Sequence, residues 1–203
     1  DTGEVTVSPA ALTFTSANWN IAQTVTLTGA NDNLVDGSQT STVTLSVVDG
    51  SSDDDFDGVA DQTVSVTTTD SDVAGFTVIE SGGTTTVPED GSTTDDFTVV
   101  LDAQPTSDVV LSIVSADIGE VTVSPATLTF TSGNWDSSQT VTVTGVDDSL
   151  IDGSQTTVVS IAVVDESSND SFDSLLDQTV SVSTADDDTA GFTVSQTDGS
   201  SSV

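Results

Sequence analysis

The chain has 203 residues, 34 of them Asp or Glu and none Lys, Arg or His, giving a formal net charge of −34 at pH 7. No side chain can therefore form a salt bridge with any of the acids, and neither nucleic acid nor an anionic membrane is an expected partner. Without Cys there is no disulfide, zinc–thiolate site or thiol chemistry, and without His, Lys, Arg or Tyr only carboxylates and hydroxyls remain for proton transfer, so no enzyme is expected.

The rest of the composition is that of a folded β protein. Hydrophobic residues make up 34%, dominated by Val, with Thr and Ser filling most of the remaining positions. Disordered acidic tails are poor in Val, Ile and Phe, and β-branched residues favour strands over helices. The lack of Lys also rules out a Lys–Asn isopeptide crosslink. No apolar stretch approaches the roughly 18 residues of a membrane span, and any export signal is expected upstream of Asp1.

In chain order, "GEVTVSPA" begins at Gly3 and again at Gly119, an offset of 116 (119 − 3). The same offset relates Asn18-Trp19 to Asn134-Trp135, "DGSQT" at Asp36 to Asp152, "DQTVSV" at Asp61 to Asp177, and "AGFTV" at Ala74 to Ala190. A period this long is a whole domain rather than a solenoid rung. Taking the acidic runs before "AGFTV" as the break, residues 1–73 are the later part of one module, 74–189 a complete module, and 190–203 the start of a third. A break near Gly3 and Gly119 is the competing phase. The chain reads as a window on a longer array, and residues 1–73 need upstream residues or a neighbouring chain in a fibre to close their fold.

Within 74–189 apolar residues alternate with Thr, Ser or Asp. The runs are Phe76/Val78, Phe97/Val99/Leu101, Val109/Leu111/Ile113, Val121/Val123, Leu128/Phe130, Val141/Val143, Val159/Ile161/Val163 and Val180/Val182. Each has period 2 and is bounded by turn residues, and no stretch has a 3.6 period. The expected fold is all-β: antiparallel Greek-key β-sandwich modules in tandem. Pro125 should end a strand at Ser124, because proline lacks the ladder donor. Trp19 and Trp135 are expected to cap the core or seal a pole.

Crowded acids with no basic partner point to a divalent cation, and Ca²⁺ prefers carboxylate and carbonyl oxygen. Three consecutive Asp at 186–188 would otherwise repel strongly; the bland alternative is a solvated acidic linker. A second candidate is "DDDFDG" at 53–58, where Asp53, Asp55 and Asp57 have the spacing that opens an EF-hand loop. Its twelfth position is Val64 rather than Glu, and the second copy keeps only Asp173 of the three acids, so an acidic hairpin loop is the other reading.

"AGFTVIE" at 74–80, "TVTGVDDSLIDGSQT" at 142–156 and "ADDDT" at 185–189 together resemble a Calx-β domain, as found in tandem in large bacterial surface proteins. The resemblance covers the complete module and most of the partial one, with Asp152 where that family's signature usually has Glu. It implies Ca²⁺ at one pole of the sandwich, beside the following module. The ligands it implies are Glu80, Asp117, Asp147, Asp148, Asp152, Asp186, Asp187 and Asp188. In the partial module the matching positions are Asp1, Asn31, Asp32, Asp36, Asp70 and Asp72; Asn31 and Ser71 replace acids there, and no residue matches Glu80. In the third copy Gln196 stands in that place.

These features lead to an extracellular or cell-surface structural protein: a Ca²⁺-stabilised spacer or filament module of a bacterial adhesin, its partners neighbouring modules or chains. The alternative is a Ca²⁺-dependent carbohydrate-binding adhesive module, against which stands an aromatic content of only 4%. Thr-x-Thr runs at Thr24–Thr26, Thr84–Thr86 and Thr140–Thr142 admit an ice-binding reading, but outward Thr is also the ordinary solvent face of a Val-Thr strand.

Overall fold

A computed structural model describes residues 1–195 and divides the chain into two compact units. Gln196 and the rest of the C-terminal segment lie outside the described residues. The first unit comprises Asp1–Ala74 with Ala103–Thr106, and the second comprises Gly75–Asp102 with the described residues from Ser107 onward.

The second unit is a β-sandwich of nine strands: β5 (Phe76–Glu80), β6 (Thr85–Pro88), β7 (Thr94–Leu101), β8 (Val109–Ser115), β9 (Val121–Ser124), β10 (Thr127–Phe130), β11 (Gln139–Gly145), β12 (Gln155–Val163) and β13 (Gln178–Ala185). One sheet has the order β10-β8-β12-β13-β6 and the other β5-β7-β11-β9. Each of the eight alternating runs is one of these strands, and the apolar member of each pair turns inward because its neighbour must reach water. Phe97, Val99, Leu111, Ile113, Val141, Val143, Val159 and Ile161 form the interior, with Phe130 and Phe172, all essentially inaccessible to solvent. Each such side chain contributes about 1.5–3 kcal/mol by leaving water.

One strand has no alternating signature. β6 reads Thr-Thr-Val-Pro and pairs in parallel with β13, from Val182↔Thr85 to Ala185↔Pro88; every other strand pair among the described residues is antiparallel. Pro88 is tolerated because β6 is an edge strand and Pro88 its last residue. β9 ends at Ser124 as expected, and the Ser124–Pro125 bond is cis. Trp135 is half-buried, and its carbonyl accepts the N–H of Leu101 at 3.1 Å.

The first unit has β1 (Val5–Ser8), β2 (Thr26–Gly29), β3 (Gln39–Leu45) and β4 (Gln62–Thr68). Among the described residues β1 pairs only with β2, and β3 only with β4. Residues 11–14 are not a strand, although their counterparts are β10. β10 exists because β8 supplies its ladder, Thr127↔Ser112 to Phe130↔Val109; no strand does this for residues 11–14. Among the described residues there is no α-helix, only four short 3-10 turns, and no helix long and apolar enough to cross a membrane.

Candidate metal centre

The site lies where β6, β11 and β13 of the second unit end. Glu89 follows Pro88 directly, and its N–H donates to Ala185 O at 3.0 Å, extending the parallel pairing by one residue. Its side chain is thereby fixed pointing inward and is 5% exposed. Asp148, in the β11–β12 connection, donates its N–H to Glu89 Oε1 at 3.0 Å. Asp188, three residues past the end of β13, is placed by Asp186: Asp186 Oδ1 accepts the N–H of Asp188 at 2.8 Å, and Oδ2 accepts that of Gly153 at 2.7 Å.

One carboxylate oxygen each from Glu89, Asp148 and Asp188 lies within 4.8 Å of the others. Ca²⁺ binds oxygen at about 2.3–2.6 Å, so two of its ligands can be at most about 5 Å apart. The cluster therefore fits a single ion of that size. Asp188 Oδ2 is buried and has no hydrogen-bond partner. A buried carboxylate oxygen without a donor is costly, and a bound cation satisfies it.

The electrostatics agree. The Asp148 N–H lowers the pKa of Glu89, but burial and the charges of Asp148, Asp186 and Asp152 together push it above the ordinary carboxylate range. Burial raises Asp188, helped by Asp186, Asp187, Asp147 and Asp148. Both groups ionise reluctantly where no positive charge faces them.

Of the ligands expected from the sequence, Asp148 and Asp188 are in the cluster. Asp147, Asp152, Asp186 and Asp187 surround it closely enough to act on its pKa values. Asp117 faces a shallow hollow with Glu120 and Asp152, and its Oδ1 accepts the N–H of Gly119 at 2.9 Å. Glu80 is elsewhere: it ends β5, and its Oε2 accepts the hydroxyl of Thr85 at 2.8 Å. The Glu that converges is Glu89, which sequence reasoning missed. Its signal was a carboxylate directly after Val-Pro and before Asp-Gly, a strand end running into a turn.

In the first unit, Asp70 Oδ2 accepts the N–H groups of Asp36 and Gly37 at 3.1 and 2.8 Å, and Oδ1 accepts that of Asp72 at 2.7 Å. The Asp72 bond, then the Gly37 bond, prevail over burial and, with the Asp36 bond, lower the pKa of Asp70. Asp32 Oδ1 accepts the N–H of Leu34 at 2.9 Å. Asp32, Asp36, Asp70 and Asp72 line one hollow with Glu4, without the three-way convergence of the second unit. Asp53, Asp55 and Asp57 are exposed; Asp53 Oδ1 caps a 3-10 turn through the N–H of Asp55 at 3.1 Å. The structure does not gather these three around a common point.

No family model and no curated protein matches this sequence. Among solved structures, the chain is similar to the periplasmic chaperone SfaE (8% identity, TM-score 0.40, 56% of this chain and 57% of that one). It is also similar to the apo form of the Calx CBD1 domain (15%, 0.36, 56% and 98%) and to surface layer protein SbsC domains 1–6 (19%, 0.41, 72% and 16%). It thus spans little over half of the chaperone and a sixth of the surface layer chain. At these identities such likeness concerns fold and says nothing of shared activity.

Proposed function

We propose that this chain is a structural module of an extracellular repeat protein, a spacer or filament element whose sandwich pole is closed by Ca²⁺. The observation that carries this reading is the buried, unpartnered Asp188 Oδ2 set against Glu89 and Asp148. The ion supplies the positive charge that the sequence lacks. Glu89, Asp148 and Asp188 hold it; Asp186 orients Asp188 and the Asp152–Gly153 turn; Asp147, Asp152 and Asp187 add negative potential. A repeat that holds its 116-residue register without insertion suits a protein whose length is set by copy number.

Binding to the folded state alone adds about 2.7 kcal/mol at a hundredfold excess over Kd, which for a module of this size raises the melting temperature by roughly 10 °C. Melting in millimolar Ca²⁺ and in EDTA tests this directly. Identical curves would end the reading.

A further inference from the structure

β6 lies between two glycine pivots. The chain changes sheets just before it: β5 pairs with β7, whereas β6 pairs with β13. Residues 81–84 make the crossing, and within them Gly82 and Gly83 take φ of 65° and 84°. A methyl group on either would meet nothing within 4 Å, so these glycines serve the turn of the backbone and not a close contact. Beyond β6, Gly91 also has a positive φ, 64°.

Little fastens β6 to the sandwich. Its four residues pair on one side only, and Pro88 has no N–H to donate. Of the four, Val87 alone is apolar and fully buried. Thr85 is buried with its hydroxyl on Glu80 Oε2 at 2.8 Å. The Thr86 N–H reaches Asp95 Oδ2 on β7 at 2.9 Å, and the Ser81 hydroxyl donates to the other oxygen of the same carboxylate, so this clamp holds the end nearest the Gly82-Gly83 pivot. The far end carries Glu89, whose carboxylate faces those of Asp148 and Asp188. There one buried valine works against three like charges that no side chain of this protein can balance. Asp148 and Asp188 are placed by other elements, Asp188 through Asp186. Glu89 is the ligand whose position depends on β6 being docked.

We infer that β6 is a metal-gated strap. A cation that joins Glu89 to Asp148 and Asp188 fastens it to β13. Without the cation it swings out at its Glu89 end, about the Gly82-Gly83 pivot, and uncovers the edge of β13 over residues 182–185. The gate rests on the Ca²⁺ reading above. A released Glu89 leaves the ion two of its three carboxylates, so strap and ion stabilise each other by the same free energy. The ion then controls one edge of the sandwich as well as its overall stability, and an uncovered edge is a surface to which further strands can add.

Amide hydrogen exchange of the full chain, in EDTA and in Ca²⁺, tests this. In EDTA the amides of Val87 and Glu89 should exchange at least about a hundredfold faster than those at the centres of β7 and β11, through local opening. Ca²⁺ at a hundredfold excess over Kd should slow them by about a hundredfold, because the open strap does not hold the ion. Glu89→Gln, which removes one of the three charges, should slow the Val87 amide at least about tenfold in EDTA. Thr86 and Ser183 are register partners on β6 and β13, about 4.8 Å apart as neighbouring strands are and so within reach of a disulfide. The double variant Thr86→Cys/Ser183→Cys should bring the Val87 amide to the core rate in EDTA when oxidised and leave it fast when reduced. A Val87 amide no faster than the core in EDTA overturns the inference. So does fast local exchange that Ca²⁺ leaves unchanged while it raises the melting temperature; the Ca²⁺ reading survives both results. Ca²⁺ that alters neither exchange nor melting removes that reading and the gate together.

Discussion

Gly145 at the end of β11 sits against Pro88 at the end of β6, so closely that a Cβ on Gly145 would lie 2.9 Å from Pro88 C and 3.1 Å from Glu89 Cα. The glycine is required by this approach of two backbones, one from each sheet, and it seats Glu89 at the cluster. Gly145→Ala should destabilise the second unit by about 1–3 kcal/mol, as overpacking does, and weaken Ca²⁺ binding by displacing Glu89. Gly29→Ala should leave melting within about 0.5 kcal/mol of the parent. Calorimetric melts of the two variants decide it.

Glu89→Gln should change sign with the metal. In EDTA it removes a reluctant buried charge and should raise the melting temperature slightly. In Ca²⁺ it removes a ligand and should erase most of the stabilisation. Asp188→Asn should behave alike. A variant that keeps the full Ca²⁺ shift would place the ion elsewhere.

Two acids outside the cluster should give opposite pH dependences. Asp95 has a lowered pKa, from the hydroxyl of Ser81, then the N–H of Thr86 at 2.9 Å and that of Asp96 at 2.8 Å. Its folded-state pKa is below its unfolded one, so it stabilises above the ordinary value of 3.8 and loses that contribution as pH falls through the lowered pKa. Asp95→Asn should therefore destabilise at neutral pH and not at strongly acid pH. Asp173 is raised by burial and by its contact with Asp165, with the charges of Asp165 and Asp170 adding to this. Its native form holds the proton longer, so it costs stability as pH rises from 3.8 through the raised pKa. Asp173→Asn should raise the melting temperature at pH 7, with the gain vanishing below the ordinary carboxyl range. Melts of both variants across pH 3–8 check the signs.

The repeat supplies an internal control for core energetics. Phe172→Ala should cost about 3–5 kcal/mol, whereas Phe56→Ala at the same repeat position should cost less than about 0.5 kcal/mol, because Phe56 is 59% exposed. Equal losses would mean that Phe56 is buried in solution.

The strands of the second unit were legible because a sheet with one face inward writes its period into the residues, as at Phe97-Thr98-Val99-Val100-Leu101. β6 was not, since an edge strand in parallel register buries only Thr85 and Val87 and needs no apolar alternation. Glu89 was missed for the same reason: without β6 there is no strand end to carry it, and Glu80 looked like the first-strand acid. Asp148 and Asp188 were visible because acids crowd there in sequence as in space. Residues 11–14 show the limit of local reading. Their Ala-Leu-Thr-Phe differs from Thr127–Phe130 by one residue, yet only the latter is a strand, because pairing is decided by a partner distant in the chain.

The parallel register of β6 and β13 has a mechanical consequence. The complete module is entered at Phe76, beside Leu101, and left after Ala185, beside Pro88, at its opposite pole. Tension along the chain therefore loads the β6–β13 ladder in shear, with its bonds strained together rather than peeled one by one. The carboxylates of Glu89 and Asp188 straddle that seam, so an ion between them would act as a rivet across the ladder that carries the load.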